Sequence, residues 1–379
     1  MPKITDHLLL PASTPGTQRS LTVHRFGQPK ARPKAYFQAA LHADEWPGLL
    51  VVHHLLRLLE QADDKGGIRG EVVVVPVANP MGLSQYISGR LIGRFDFESG
   101  GNFNRNFPDL SGPAVEACRE LLAGDLVADV GRLRKALVEA ARQLPRQREL
   151  DSLKANLLEL AVDGDYVFDL HCDGESLIHL YANHRHRRLA GELGAEIGAA
   201  VVILEDEPGG SPFDEACAGP WWKMEKPLGR KLPSACFAAT VELRGQADVY
   251  DHYAAQDAAN LFRFLQRRGI VEGEPGPMPQ AIHLESPLDG VDVLTCPGAG
   301  ILAYRKSLGD RVEEGEVVAD LVDLLHENPH AARTPIPSAT DGILFARMAE
   351  KLARPGQKIC KVAGVERLAY REAGKLLED

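Results

Sequence analysis

Cysteine is scarce: the 379-residue chain holds six, at 118, 172, 217, 236, 296 and 360, and no two have C-x-x-C spacing. That density excludes a disulfide-stapled secreted scaffold and predicts free thiols in a reducing compartment, so a cytoplasmic location is expected. Long apolar runs are absent too. None approaches the roughly 20 residues needed to span a bilayer, and the opening MPKITDHLLLPAS shows no charged segment followed by a long apolar core. A basic excess is also missing, since 43 Lys and Arg stand against 53 Asp and Glu, a net charge of -10. This excludes the electrostatic footprint of a nucleic-acid or anionic-membrane protein and leaves a small molecule or peptide as the natural substrate. What is present is an ordinary globular composition, 44% hydrophobic and 25% charged, in a chain long enough for two domains.

From residue 8 to about 41, LLLP, SLTVHRF and AYFQAAL read as three strands separated by turn residues. A helix follows from Pro47, where a missing N–H costs nothing, and EVVVVPVANP (71–80) is a continuous apolar strand of the kind buried on both faces. Strand, helix, strand is a βαβ unit, and its functional loops lie at the carboxyl ends of the strands. Residues 113–161 read as a helical insertion, with an apolar stripe at helical spacing before Pro145. Strands return at DYVFDLH (165–171), LIHLYAN (177–183), AAVVIL (199–204) and ACFAATVEL (235–243), before a last helix near 254–267. The segment GGSPFDEACAGPWWKMEKPLGRK (209–231) reads as a surface loop or, alternatively, a specificity-pocket lining.

GEPGPMPQ (273–280) is a Pro/Gly-rich break. Beyond it, two halves each run strand, charged turn, glycine turn and closing strand, which predicts a small all-β region with pseudo-twofold symmetry. The expected fold is thus α/β, with a mixed, mostly parallel central sheet flanked by helices and a smaller C-terminal all-β domain of barrel-sandwich type. The expected boundaries are 1–272 for the first, carrying the helical insertion, and 281–364 for the second.

ALHADEWPG (40–48) sits where a strand ends and a helix begins. His42 and Glu45, three apart on that corner, are close enough to meet one ion. His171 closes its own strand and, in a parallel sheet, reaches the same rim. Two histidines and a glutamate, with a fourth position left to water, form the ligand set of catalytic zinc. The rival reading makes them loop histidines satisfied by backbone. Asp44 competes with Glu45 as a ligand, while His53 and His54 fall on the helix, where a packed or solvated role fits better. Asp169 faces the same side of its strand as His171 and could orient it or serve a structural hydrogen bond. The irregular loop GRFDFESGGNFNRNFPDL (93–110) carries Arg94, Asn104 and Arg105, which can offer guanidinium forks to a carboxylate and a fixed positive charge to an oxyanion.

In order along the chain stand H-A-D-E at 42–45, A-N-P at 78–80, Arg94-Phe95, N-R-N-F-P at 104–108, D-L-H at 169–171 and T-V-E-L at 240–243. This series resembles the zinc carboxypeptidase superfamily and, within it, the succinylglutamate desuccinylase and aspartoacylase branch, over roughly residues 35 to 265. The resemblance implies one zinc ion per chain, bound by His42, Glu45 and His171, with Glu242 as general base. It implies that Arg94 polarises the scissile carbonyl and that Asn104 and Arg105 grip a substrate carboxylate. Two departures bear on the substrate. Ala43 stands where the family commonly has glycine, and Arg244 replaces the usual glycine after the E-L pair, where it can narrow the pocket or bind a second anionic group of the substrate. The C-terminal region resembles lipoyl- and biotinyl-type barrels, yet ADLVDLLHENPHAAR at the expected hairpin has no lysine to modify.

The expected function is a zinc-dependent hydrolase that cleaves an amide beside a free carboxylate, most simply by deacylating an N-acyl amino acid. The alternatives are carboxypeptidase-like cleavage of small peptides and a non-catalytic zinc-containing binding protein. A small-molecule substrate is expected, with no nucleic-acid or membrane partner, and assembly into a homo-oligomer is left open. Thiol catalysis by Cys172 beside His171 is disfavoured because strand neighbours point to opposite faces.

Overall fold

Short apolar runs broken by turn residues form β1 (Ile4–Leu9), β2 (Ser20–Gly27) and β3 (Lys34–Ala39), followed by helix α1 (Pro47–Asp64) and β4 (Glu71–Val75). Every residue of β3 and β4 is buried, which is why both read as continuous rather than alternating apolar segments. The structure is a computed structural model and describes residues 3–122, 124–206, 208–372 and 374. The chain divides into two compact units. One comprises Met1–His171, Gly210–Thr240 and Val249–Met278; the other comprises Cys172–Gly209, Val241–Asp248 and Pro279–Asp379.

In the first unit β1 pairs with β2 and β2 with β4, both antiparallel, while β4 pairs with β3 in parallel. A two-residue ladder, β5 (Tyr86–Ile87) with β6 (Arg90–Leu91), stands outside that sheet. Three helices follow, α2 (Ser111–Cys118), α3 (Leu126–Arg142) and α4 (Glu149–Ala161). The Asp125 carboxylate caps α3 by accepting from the Val127 and Ala128 amides, and Leu133, Leu137 and Ala141 bury one face of the helix beside Leu153 and Leu157 of α4. Strand β7 (Tyr166–Asp173), most of which belongs to this unit, runs parallel to β3 with Leu170 opposite Ala39.

The other unit contains β8 (Glu175–Ser176), β9 (His179–Asn183), helix α5 (Arg187–Ile197) and β10 (Val201–Glu205). Back in the first unit, residues 213–228 are not a surface loop. They form the short helices α6 (Phe213–Ala218), α7 (Pro220–Lys223) and α8 (Glu225–Leu228), whose Phe213, Cys217, Trp221 and Met224 are buried in the core that also holds α3 and α4. Strand β11 (Phe237–Gly245) starts in this unit and ends in the other, and α9 (Asp251–Arg267) packs on α1. The strands belong to a large, mostly parallel central sheet flanked by helices.

In the second unit β12 (Leu284–Pro287) and β9 both run parallel to β10. The C-terminal residues then form eight strands, β13 (Val291–Thr295), β14 (Gly300–Tyr304), β15 (Arg311–Val312), β16 (Val317–Val322), β17 (Arg333–Pro337), β18 (Gly342–Arg347), β19 (Leu352–Ala353) and β20 (Lys358–Ala363). They make two antiparallel sheets, β13-β20-β18-β15 and β17-β16-β14-β19, and moving four strands along the chain converts one order into the other. That exchange is the pseudo-twofold relation expected from the two sequence halves. Leu294, Leu302, Val318, Leu344 and Val362 form the shared core.

Candidate metal centre

The corner after β3 turns at Ala40, whose φ of 58° is left-handed, a conformation that costs a residue with a Cβ about 1 kcal/mol or more. Neighbouring loops hold the corner in place. The Asn79 amide donates to the Leu41 carbonyl at 2.9 Å, and the Ala43 N–H donates to Gly93 O at 3.0 Å. Gly93 lies so close that an added Cβ would stand 2.2 Å from the Asp44 nitrogen. The Glu45 N–H closes a tight turn on His42 O, and α1 begins two residues later with Pro47 in its first turn. Parallel pairing of β3 with β7 brings His171 to the same strand-end rim.

His42, Glu45 and His171 are all buried, and their ligand atoms lie within 4.8 Å of one another. His42 Nδ1 is 2.9 Å from Glu45 Oε1 and His171 Nδ1 is 2.8 Å from Glu45 Oε2, so one carboxylate faces both rings. The far nitrogens have their own partners. The Asn104 N–H donates to Asn102 Oδ1 at 2.9 Å, which identifies that atom as the amide oxygen, and His42 Nε2 lies 2.8 Å from the same oxygen. Nε2 of His42 therefore carries its proton, and Nδ1 presents a bare lone pair to Glu45. On the other ring, His171 Nε2 is 2.8 Å from Asp169 Oδ2, and Asp169 is held in turn by the Gln38 amide at 2.9 Å.

The His42 lone pair and the Glu45 carboxylate aimed at each other repel unless positive charge stands between them, and a divalent ion would satisfy that requirement. The donor set fits zinc: nitrogen and oxygen ligands, three from the protein, each imidazole oriented by an acceptor behind it. Arg94 supplies positive charge from the protein side, its Nη1 3.0 Å from Glu45 Oε1 and 3.1 Å from His42 Nδ1. Burial and then Arg94 push His42 down to about 4, keeping it neutral. Burial would lower His171 as well, but the Asp169 and Glu45 carboxylates outweigh it and raise the group well above its usual value. Burial opposes ionisation of Glu45, yet the two imidazoles hold it well below the carboxylate range.

Asp44, the rival ligand, is outside the triad, and burial followed by the Glu45 charge raises its carboxyl above the usual range. His54 is on α1 with Nε2 2.8 Å from Asp251 Oδ1, away from the triad's hydrogen bonds. Asn104 is buried with Oδ1 accepting the Phe213 N–H at 2.8 Å and Nδ2 3.5 Å from His171 Nε2. Arg105 donates from Nη1 to the Asn104 carbonyl at 2.8 Å and lies against Gly210. Glu242 and Arg244 lie on the end of β11 that belongs to the second unit, with Arg244 at a left-handed φ of 62°. The residue that sequence reasoning missed is Asn102. Its only sequence signal is the repeated asparagine of G-N-F-N-R-N, and no spacing rule marks which amide reaches an imidazole.

Residues 31–137 match the description "Succinylglutamate desuccinylase/Aspartoacylase catalytic domain". Over that stretch the chain is similar to the succinylglutamate desuccinylase and aspartoacylase family. Among relatives, the N-alpha-acetyl-L-2,4-diaminobutyric acid deacetylase of Halomonas elongata is 25% identical over 343 residues, covering 88% of this chain and 82% of that protein. A crystal structure of a succinylglutamate desuccinylase/aspartoacylase family protein from Shewanella amazonensis superposes with a TM-score of 0.84 at 26% identity, covering 95% of this chain and 98% of that one. The product-bound ectoine utilization protein EutE (DoeB) of Ruegeria pomeroyi shares the fold, with a TM-score of 0.67 at 18% identity over 96% of this chain and 95% of the other.

Proposed function

We propose that the protein is a zinc-dependent amidohydrolase that removes the acyl group from an N-acyl amino acid. One observation carries the reading: two oriented imidazoles and a carboxylate converge at a buried strand-end rim, with ligand atoms within 4.8 Å of one another. The family signature over residues 31–137 and the deacetylase relative from Halomonas support deacylation as the reaction class. Zinc held by His42, Glu45 and His171 supplies Lewis acidity and lowers the pKa of water to about 7.

The roles of the chain's own groups follow from their chemistry. Glu242 takes the proton of the attacking water and returns it to the leaving amine. Arg94 gives positive charge to the carbonyl oxygen as negative charge develops there. Asn104 and Arg105 hold the substrate carboxylate, with Asn104 limited to its Nδ2 because Oδ1 is committed to Phe213. Arg244 meets a second anionic group of the substrate. Residues 1–272 supply the hydrolase and 281–364 an accessory region without a carrier lysine. The six cysteines are buried free thiols, which supports a reducing, cytoplasmic setting.

The test is metal analysis of the purified protein, followed by a hydrolysis screen over N-acetyl, N-succinyl and longer N-acyl amino acids. Glu242→Gln is expected to keep the metal and to lose about 10²- to 10⁴-fold in kcat. Turnover that persists unchanged in that variant, or in metal-stripped protein, overturns the assignment.

A further inference from the structure

The turn Asp173–Leu177 is gripped from two sides within the second unit. On one side it supports the end of β11. The Gln246 N–H donates to Asp173 O at 3.0 Å and Gly174 O at 3.1 Å, and the Ser176 hydroxyl donates to Arg244 O at 2.7 Å. Gly245 approaches so closely that an added Cβ would stand 2.8 Å from Gly174 O. On the other side the C-terminal strands hold it. β8 pairs antiparallel with β18, placing Ser176 opposite Ala346 and Glu175 opposite Arg347, and the Leu177 N–H donates to Phe345 O at 2.9 Å. Arg347 Nε and Lys351 Nζ donate to the Glu175 carboxylate at 2.6 and 2.9 Å, and Lys361 Nζ of β20 donates to Asp173 Oδ2.

Lys361 differs from the other two cations in what surrounds it. Burial works against its charge, but Asp173, Tyr181 and Glu242 outweigh burial and raise it above the usual lysine range. His179, with Nδ1 2.9 Å from Leu177 O and its ring 4.8 Å from that of Phe345, is pushed down to about 4 by burial and then by Lys361. One ammonium therefore stands among Asp173, Tyr181, His179 and Glu242.

We propose that Lys361 is a positioning residue for the deacylation: from the last C-terminal strand it pins Asp173, and with it the turn to which the Glu242 end of β11 is bonded. The inference rests on the reading of Glu242 as the general base. It gives the C-terminal region a catalytic purpose that needs no carrier lysine. The ammonium balances two acids and fixes the backbone that aims one of them.

The experiment compares wild type, Lys361→Met, Lys361→Arg and the double variant Lys361→Met/Asp173→Asn, all as metal-loaded full chains. Lys361→Met is expected to lower kcat about tenfold to a hundredfold, as small misplacements of reacting groups do. Its KM stays within about threefold and its metal content is unchanged. Lys361→Arg, which keeps the cation, recovers most of kcat. In Lys361→Met the Gln246 amide exchanges with solvent about tenfold faster, since its bond to Asp173 O is no longer braced. Should Lys361→Met fail to fold, the double variant removes the unpaired acid and serves instead, with kcat expected to stay low. A kcat within about threefold of wild type in Lys361→Met, or full recovery in the double variant, overturns the proposal. A wild type inert on every N-acyl amino acid removes the proposed function instead, and exchange at Gln246 still decides the pin.

Discussion

A histidine offers a metal only one nitrogen, and its neighbours choose which. Asn102 and Asp169 make that choice here, each standing against an Nε2 atom so that both Nδ1 atoms face Glu45. Asp169 is itself fixed by Gln38, which accepts from the Tyr36 hydroxyl at 2.8 Å, so the orientation of His171 is anchored three side chains deep. Asp169→Asn is expected to weaken zinc about 10- to 100-fold, because the amide can turn its NH₂ toward Nε2 and release the ring. Competition against a chromophoric chelator reads this directly, and an unchanged affinity would show that His171 is held by packing alone. The three converging side chains were legible as a group in the sequence because a metal site needs such residues at strand ends, and strand ends can be read. Asn102 was not legible. Its oxygen matters only once the 93–110 loop folds back over the corner, and loop shape depends on tertiary partners that no spacing encodes.

The corner between β3 and α1 shows the same division for whole elements. Its flanks follow local rules: β3 and β4 announce themselves as unbroken apolar runs, and Pro47 marks the first turn of α1. The packing around it is not local. Gly93 arrives from a loop nearly fifty residues away and abuts the Asp44 nitrogen with no space for a methyl group. Gly93→Ala must therefore push loop and corner apart. A cost of about 1–3 kcal/mol is expected, as for other overpacked sites, together with lost metal, and thermal melts with and without added zinc would measure both. A variant that melts like wild type and keeps its metal would show that the loop yields freely. Residues 213–228 hid their character for a related reason. Phe213, Cys217, Trp221 and Met224 follow helical spacing, but Pro220 and Pro227 break the run into three short helices, so the stripe resembles a turn-rich loop until the core closes on it.

For the molecule as a whole, a net charge of -10 leaves stability governed by where acids are buried. The two halves of the C-terminal repeat and the alternating strands and helices made the fold class readable, but burial of single acids was not, since it depends on which elements cover them. Asp214, at the start of α6, is buried with its carboxylate accepting the Thr240 hydroxyl at 3.0 Å and the Glu215 N–H at 2.9 Å. Burial first, and the Asp169 charge second, raise it from 3.8 to about 6. A carboxyl raised on folding is bound to its proton more tightly in the native state, so its contribution to stability is full below the unfolded pKa and fades as pH climbs through the folded one. Asp163 works in the opposite sense. Burial opposes its charge, but Lys34 and then Arg32 hold its carboxyl below the usual value, so its contribution is lost on acidification. The two acids thus act at different ends of the acidic range, and Asp214 costs the molecule stability as pH rises from about 4 to 6 and beyond. Asp214→Asn keeps the acceptor oxygen and the neutral charge of the protonated acid. Relative to wild type the variant should therefore gain on the order of 2 kcal/mol between those pH values, read by denaturant unfolding at a series of pH. A difference between variant and wild type that stays flat across the window would mean that Asp214 is ionised in the native protein and that its hydrogen bonds, rather than burial, set its charge.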